Sequence, residues 1–221
     1  MTGDELAAAW AKVERAVEET ARFPPGAFGA FGDVAAGEVV GQRRAEGWHV
    51  SWGLLGCTRP MAWLSITDDR PLQKVDALTE KRLEGRWSSS PKRLYQRLDL
   101  PWPFVDRHYV LDLQTNLALG AKGVWERWWT LDDRDLPPAD DAQVVTRNEG
   151  AWLLVDVGDH TLAAYQVRVD LGGAVPDEAV RAYAASGTEE LFRKVSANCA
   201  SVAKRCEPGL PGGDGLPIAC P

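Results

Sequence analysis

The sequence predicts an α+β domain in which a curved antiparallel β-sheet wraps around a long C-terminal helix, with a further helix at the N-terminus. The first segment has apolar residues at helical spacing, the middle of the chain alternates as strands do, and the last long segment returns to helical spacing. The sheet can bury its concave face only against that last helix. Because one helix cannot fill a strongly curved sheet, we expect a cavity between the two.

The bulk composition is that of one soluble globular domain. The chain has 221 residues, of which 45% are hydrophobic and 26% are charged. We assign residues 1–205 to the domain and residues 206–221 to a Gly/Pro-rich C-terminal tail. Ten Trp residues are many for this length, and such large amphipathic side chains often line cavities or fill a large core.

The N-terminal helix is predicted over residues 3–21. Its apolar positions recur at spacings of three and four residues, and either Thr2 or Asp4 can cap it. The sequence Phe23-Pro24-Pro25-Gly26 ends it. The apolar positions are Leu6, Trp10, Val13 and Val17.

Between this helix and the middle of the chain the pattern is mixed. Residues 48–55 are typical of a strand because aromatic and β-branched residues dominate. Residues 61–66 fit a second strand or a short helix. Residues 71–83 are interpreted as a helix that ends near Gly85.

The following segments alternate in the manner of successive strands joined by short turns, which predicts an antiparallel meander. After Gly172-Gly173 the helical pattern returns, with Pro176 at the first turn of the C-terminal helix. The predicted strands cover residues 92–100, 109–115, 124–131, 151–157 and 161–170.

Two segments resemble the START (StAR-related lipid-transfer) family of the Bet v 1-like helix-grip superfamily. The first is Leu100–Val110, which is similar to the family's "WP…RD" stretch through Trp102 and Pro103. The chain departs from the pattern by having Asp106 before Arg107 where many members have Arg-Asp. We expect an ion pair between these two residues at that corner, and a polar contact to the ligand is the alternative.

The second segment is similar to the family's "G.W…T…Y…D.GG.iP" run, which precedes the C-terminal helix. It comprises residues 150–152, 161–165 and 170–176. The glycines permit backbone angles closed to other residues where the strand reverses into the helix. The two segments, with the helix that follows, extend the resemblance over about residues 90 to 203. The motif positions of the second segment are Asp170, Gly172, Gly173 and Pro176.

The resemblance implies a helix-grip fold with a lipid-sized tunnel between the sheet and the C-terminal helix. Which strand face points inward stays open, because a one-residue slip inverts every assignment. Ordinary core packing also stays open for each candidate. The candidate ligand contacts are Trp128, Trp152, Leu154 and Tyr165 on the sheet and Val180, Tyr183, Ala184, Leu191 and Phe192 on the helix.

The function expected from this resemblance is non-catalytic binding, and transfer, of a lipid, sterol or fatty acyl chain. The alternative is a cyclase/aromatase-like or hydrolytic enzyme on the same fold, which would need His49 or a buried carboxylate to face the cavity. A third reading is an interaction module whose pocket is filled by its own Trp side chains. No metal-ligand spacing or cofactor motif is recognised, so we expect no metal and no cofactor.

The net charge limits which partners are expected, and the cysteines indicate the cellular compartment. A formal net charge of −7 disfavours nucleic acid and leaves transient membrane contact through a local patch. We predict a Cys206–Cys220 disulfide, because it would tie back the end of the tail, and consider Cys57–Cys199 as a second. Disulfides favour an exported protein whose signal has been removed. Four free thiols in a cytoplasmic chain remain the alternative.

Overall fold

The computed structural model describes residues 1–68, 78–173, 175 and 177–221, without the side chains of residues 177–186. The N-terminal region forms two helices, α1 Gly3–Ala11 and α2 Glu14–Thr20, where one was predicted. Thr2 and Glu5 form a capping box at the start of α1. The Thr2 hydroxyl accepts a hydrogen bond from the Glu5 backbone amide, and the Glu5 carboxylate accepts one from the Thr2 backbone amide. A short helix, α3 Phe31–Ala35, follows.

One curved sheet of nine strands dominates the described part of the chain. Its strand order is β1-β2-β9-β8-β6-β5-β4-β3, and all of these neighbours are antiparallel, whereas β7 pairs parallel to β5. The strands are β1 Val40–Arg43, β2 His49–Leu55, β3 Leu78–Glu84, β4 Lys92–Leu98, β5 Asp106–Thr115, β6 Val124–Leu131, β7 Ala142–Val144, β8 Arg147–Val157 and β9 His160–Asp170.

Three helices complete the fold, with a 3₁₀ turn at Ala45–Gly47. They are α4 Arg59–Thr67 after β2, α5 Leu117–Gly120 before β6 and α6 Asp177–Arg205 at the C-terminus. The predicted fold class, a curved antiparallel sheet with an N-terminal helix and a long C-terminal helix, is confirmed. The structure resolves the ambiguity at residues 61–66 in favour of helix α4, which has a proline in its first turn.

The helix predicted over residues 71–83 is wrong where the structure describes it. Leu78–Glu84 forms β3, an edge strand that pairs antiparallel with β4. The leucine spacing that favoured a helix is overridden by the ladder hydrogen bonds that this segment gains beside β4. Residues 71–77 of the same prediction lie outside the described residues.

Two apolar cores lie on opposite faces of the sheet. The outer core holds the convex face against α1–α3, and Trp52 is stacked on Phe28 with ring centroids 4.5 Å apart. The inner core packs α4 and α6 against the concave face around Trp63, Leu154 and Val195. The inner core also runs along the concave face to β4 and β5, where Leu98 and Leu111 belong to it.

The C-terminal half of α6 is fixed to its surroundings. A disulfide joins Cys199 of α6 to Cys57, which lies between β2 and α4. Ser65 of α4 donates to the carbonyl oxygen of Val195 at 2.7 Å. These contacts hold this part of the helix over α4.

The Gly/Pro-rich tail is an ordered cover tied by the predicted Cys206–Cys220 disulfide. The indole nitrogen of Trp63 donates to the Pro211 carbonyl oxygen at 3.1 Å. A Cβ atom on Gly213 would clash with the Trp125 side chain. The tail therefore lies directly on the tryptophans at this end of the inner core.

The corner between β4 and β5 differs from the expectation. Asp106 and Arg107 do not pair, because consecutive strand residues point to opposite faces. The Asp106 carboxylate accepts from Arg97 at 2.6 Å. Arg107 instead donates to the carbonyl oxygens of Leu171 and Gly172, at 2.6 and 2.9 Å.

Arg107 thereby fixes the turn between β9 and α6. Gly172 and Gly173 both have φ values near 70°, which is the backbone region that favours glycine. The Asp170 carboxylate accepts from the Gly172 amide at 2.9 Å, so three of the motif positions build this turn. Pro176 lies outside the described residues.

Candidate ligand-binding site

The cross-strand register determines which side chains share the concave face. Trp152 of β8 lies opposite Tyr165 of β9 and opposite Arg127 of β6. Directly paired residues point to the same side of a sheet, and residues two apart along a strand do so as well. The inward set on these strands is therefore Arg127, Trp129, Asn148, Trp152 and Tyr165.

A pocket of about 220 Å³ lies between this face and α6. It reaches from β9 across the sheet to the edge strand β3, with α6 on the opposite side. Its described lining residues are Ile66, Leu78, Glu80, Leu94, Gln96, Leu98, Tyr109, Leu111, Leu113, Arg127, Trp129, Asn148, Trp152, Tyr165, Val167, Val169, Leu171, Gly187, Thr188 and Leu191.

The two ends of the sheet line the pocket with different chemistry. On β6, β8 and β9 the wall is aromatic, with Tyr165 stacked near Trp129 and tilted against Trp152 at centroid distances of 5.8 and 4.8 Å. On β3, β4 and β5 the wall is mostly leucine. An apolar guest would meet flat rings on one side and aliphatic groups on the other.

Two amide side chains face this pocket. Each is oriented by a hydrogen-bond partner that can act only as a donor or only as an acceptor. The Trp129 indole, a donor only, donates to Oδ1 of Asn148 at 2.9 Å. The Gln96 amide nitrogen donates to the Glu80 carboxylate. The Asn148 nitrogen and the Gln96 oxygen are the atoms left for a guest.

Arg127 supplies a cationic group to the pocket. Its side chain is almost fully buried, and one guanidinium nitrogen donates to the Thr115 hydroxyl at 3.0 Å. A buried guanidinium offers several donors in a fixed plane. The pocket is thus largely apolar, with polar groups at a few defined points.

Helix α6 contributes small and medium-sized residues to the lining. Gly187, Thr188 and Leu191 face the pocket. Apart from the helix's own backbone, no described residue has a heavy atom within 4 Å of a Cβ atom placed on Gly187. The helix backbone therefore borders open space at Gly187.

The structure divides the predicted contact residues into four groups, of which Trp128 alone forms the last. Trp152, Tyr165 and Leu191 line the pocket. Leu154 and Phe192 lie in the inner core beside it, and the Phe192 and Trp152 rings are 5.1 Å apart between centroids. The side chains of the predicted residues Val180, Tyr183 and Ala184 lie outside the described residues.

Trp128, predicted as a ligand contact, is not among the residues that line the pocket. Its neighbours Arg127 and Trp129 point inward, so Trp128 points to the outer face. There its ring packs under the guanidinium of Arg22 at 5.3 Å. The sequence indicates that side chains alternate along β6, but it does not indicate which of them point toward the concave face.

Two candidate acid–base groups, His49 and Glu126, lie away from the pocket. His49 is bonded to Ser51, and its pKa is lowered by burial. Glu126 is buried on the outer face, where it accepts from the amides of Arg22 and Phe23. Burial raises the pKa of Glu126. Neither His49 nor Glu126 is among the described lining residues.

No protein-family model and no curated protein sequence matches the chain significantly. Solved structures resemble it more clearly. A STAR-related lipid transfer protein fragment from Xanthomonas axonopodis has a TM-score of 0.60 and 16% identity, covering 73% of this chain and 98% of that one. Human STARD10 has a TM-score of 0.57 and 10% identity, covering 76% of each chain.

Human StAR-related lipid transfer protein 5 covers 91% of this chain and 99% of that one, with a TM-score of 0.56 and 10% identity. At these identities the likeness shows the fold alone. The shared architecture is the curved antiparallel sheet closed by a C-terminal helix.

Proposed function

We propose that this chain, which has a START-like helix-grip fold, binds one compact hydrophobic molecule between its sheet and α6 and carries out no chemistry on it. The observation that carries the proposal is the pocket of about 220 Å³ with its mostly apolar lining. Burial of apolar surface would supply the affinity, at about 25 cal/mol per Å² removed from water.

The size of the pocket limits the guest. An engineered cavity of about 150 Å³ holds one benzene molecule, and ordinary small-molecule pockets range from about 300 to 1,000 Å³. A volume of about 220 Å³ therefore suits one or two fused rings, or a single short acyl chain. A sterol or a two-chain lipid would require the pocket to widen.

The position of the titratable groups favours binding over catalysis. The enzymatic alternative needed His49 or a buried carboxylate in the cavity, and the carboxylate among the described lining residues is Glu80, which bonds to Gln96. Substitution Glu80→Gln separates the two functions, since it would remove turnover from an enzyme but leave the affinity of a binding protein largely unchanged.

Transfer between membranes would use the loop of residues 99–105. Trp102 in this loop is 92% exposed, and Val105 is also exposed. The loop leaves β4 directly after Leu98, which lines the pocket. An amphipathic indole beside the pocket suits brief contact with a bilayer interface. None of the described helices has the length and hydrophobicity of a transmembrane segment.

Native mass spectrometry of freshly purified protein tests the proposal, followed by solvent extraction of any co-purified molecule. Thermal unfolding with naphthalene-sized compounds, single-chain fatty acids and sterols then gives the size dependence. We expect the first two classes to raise the melting temperature. A panel in which no compound shifts it, with no co-purified guest, would contradict the proposal.

A further inference from the structure

Asn148 is the pocket amide that is oriented by an aromatic side chain of the inner wall. It is 7% exposed and lies on the inward face of β8, opposite Val169 of β9. Its Oδ1 accepts from the Trp129 indole at 2.9 Å. An indole N–H can only donate, so the amide must present its oxygen to Trp129 and its nitrogen elsewhere.

The Trp129 ring is itself held in place by Gly150. A Cβ atom on Gly150 would lie 2.5 Å from Cζ2 of this ring, so the ring occupies the space of the missing side chain. The Tyr165 ring is stacked near the Trp129 ring, with the two centroids 5.8 Å apart. The indole N–H thus points at Asn148 from a packed position.

The Nδ2 atom of Asn148 has no hydrogen-bond partner among the described residues, and the residue lines the pocket. This nitrogen borders the open pocket, where a bound molecule can reach it. A guest that brings an acceptor atom to it would gain a hydrogen bond from a donor that is already oriented. A purely hydrocarbon guest would not.

We propose that Asn148, oriented by Trp129, recognises the polar end of the bound molecule, which carries an uncharged oxygen acceptor such as a carbonyl. This inference rests on the proposed function and adds the chemistry of the ligand to it. The guest is then a compact ring system or short chain with one oxygen at the aromatic wall, and the leucines of β4 and β5 surround its apolar remainder.

Two nearly isosteric probes test the inference, methyl naphthyl ketone and isopropylnaphthalene, with affinities measured by quenching of Trp fluorescence. In the wild-type protein we expect both to bind. Asn148→Leu should weaken the ketone about tenfold, the value of one lost hydrogen bond. The same substitution should leave the hydrocarbon unchanged or slightly tighter.

Asn148→Asp is the second variant, in case the leucine form does not fold. Its carboxylate still accepts from the Trp129 indole but offers no N–H to a carbonyl, so the ketone should lose affinity relative to the hydrocarbon. Val169→Ala is the matched control. It removes apolar lining opposite Asn148 and should weaken both probes equally.

The outcomes separate the two proposals. If both probes bind and the Asn148 variants change the two affinities equally or not at all, the inference about Asn148 is overturned while the binding function stands. If the wild-type protein binds neither probe, the size class in the proposed function fails and the inference fails with it. Selective loss of the ketone supports both.

Discussion

Arg205, the last residue of α6, donates a hydrogen bond of 2.7 Å to the carboxylate of Asp68, whose side chain is only 1% exposed. Asp68 follows the end of α4, so this pair joins the two helices that close the inner core. Arg205 also lies over the Trp87 ring at 5.5 Å. The contact fixes the C-terminal end of α6.

Removing this ion pair should destabilise the protein. Arg205→Ala takes a charged donor away from a buried carboxylate, and we expect the free energy of unfolding to fall by about 2 kcal/mol. Urea denaturation followed by circular dichroism measures this. Arg15→Ala is the control, because the Arg15–Glu19 pair has a similar distance but is exposed, and its loss should have almost no effect. Equal effects for both variants would contradict the structural role.

The two disulfides should contribute unequally to stability. Cys57–Cys199 closes a loop of 142 residues and Cys206–Cys220 one of 14. The entropy removed from the unfolded chain grows with loop length, which gives about 5 kcal/mol for the first and about 3 kcal/mol for the second. Guanidinium denaturation of the two paired Cys→Ser variants tests the order. A larger loss from the short loop would show that the tail contacts outweigh chain entropy.

Position 187 should separate stability from binding. Gly187→Ala places a methyl group in open space and raises helix propensity, so we expect up to about 1 kcal/mol of added stability. Gly187→Phe places a ring in the pocket and should reduce the affinity for a naphthalene-sized guest at least tenfold. Calorimetric titration gives the affinities and thermal unfolding the stabilities. Unchanged affinity in the phenylalanine variant would place the guest elsewhere.

Acid should weaken the fold through Asp132. Hydrogen bonds from Arg134, and then from Arg93, hold the pKa of Asp132 well below its usual value. A carboxyl group with a lowered folded-state pKa stabilises the fold above its unfolded pKa of about 3.9, and this stability is lost as the pH falls below that value. Denaturation between pH 6 and pH 2 should therefore give a shallower acid slope for Asp132→Asn than for the wild type. Identical slopes would show that protonation of Asp132 does not contribute to the loss of stability in acid.

Exposed Trp102 should affect transfer and not stability. Trp102→Ser removes an indole that is 92% exposed, so the melting temperature should stay the same. Transfer of a fluorescent acyl probe between phosphatidylcholine vesicles should slow several-fold, because interfacial contact is lost. The affinity for the probe in solution is the internal control. A transfer rate equal to that of the wild type would remove the loop from the transfer step.

Local sequence pattern predicted the meander strands, whose side chains alternate between the two faces of the sheet, and the final helix, although β6 and β8 are buried on both faces. It could not predict which of the two alternating sets of side chains points inward, and for this reason Trp128 was predicted on the wrong face. The inward set follows from pairs such as Trp152 with Tyr165, which are formed by distant parts of the chain. Once Trp152 and Tyr165 are known to point inward, Asn148 follows because it lies four residues before Trp152 on the same strand. Trp129 follows from the pairing of β6 with β8. Arg107 was misassigned for a related reason, because its carbonyl partners belong to the turn after β9.

The glycine-rich C-terminal segment has a practical implication for expression. By composition it would be trimmed as disposable, with a new boundary at residue 205. Gly212 and Gly213 lie on Trp125, however, and Ile218 is buried. A shortened protein would present bare indole surface to solvent and retain only one of its cross-links, so poor solubility and self-association are the expected result of that trimming.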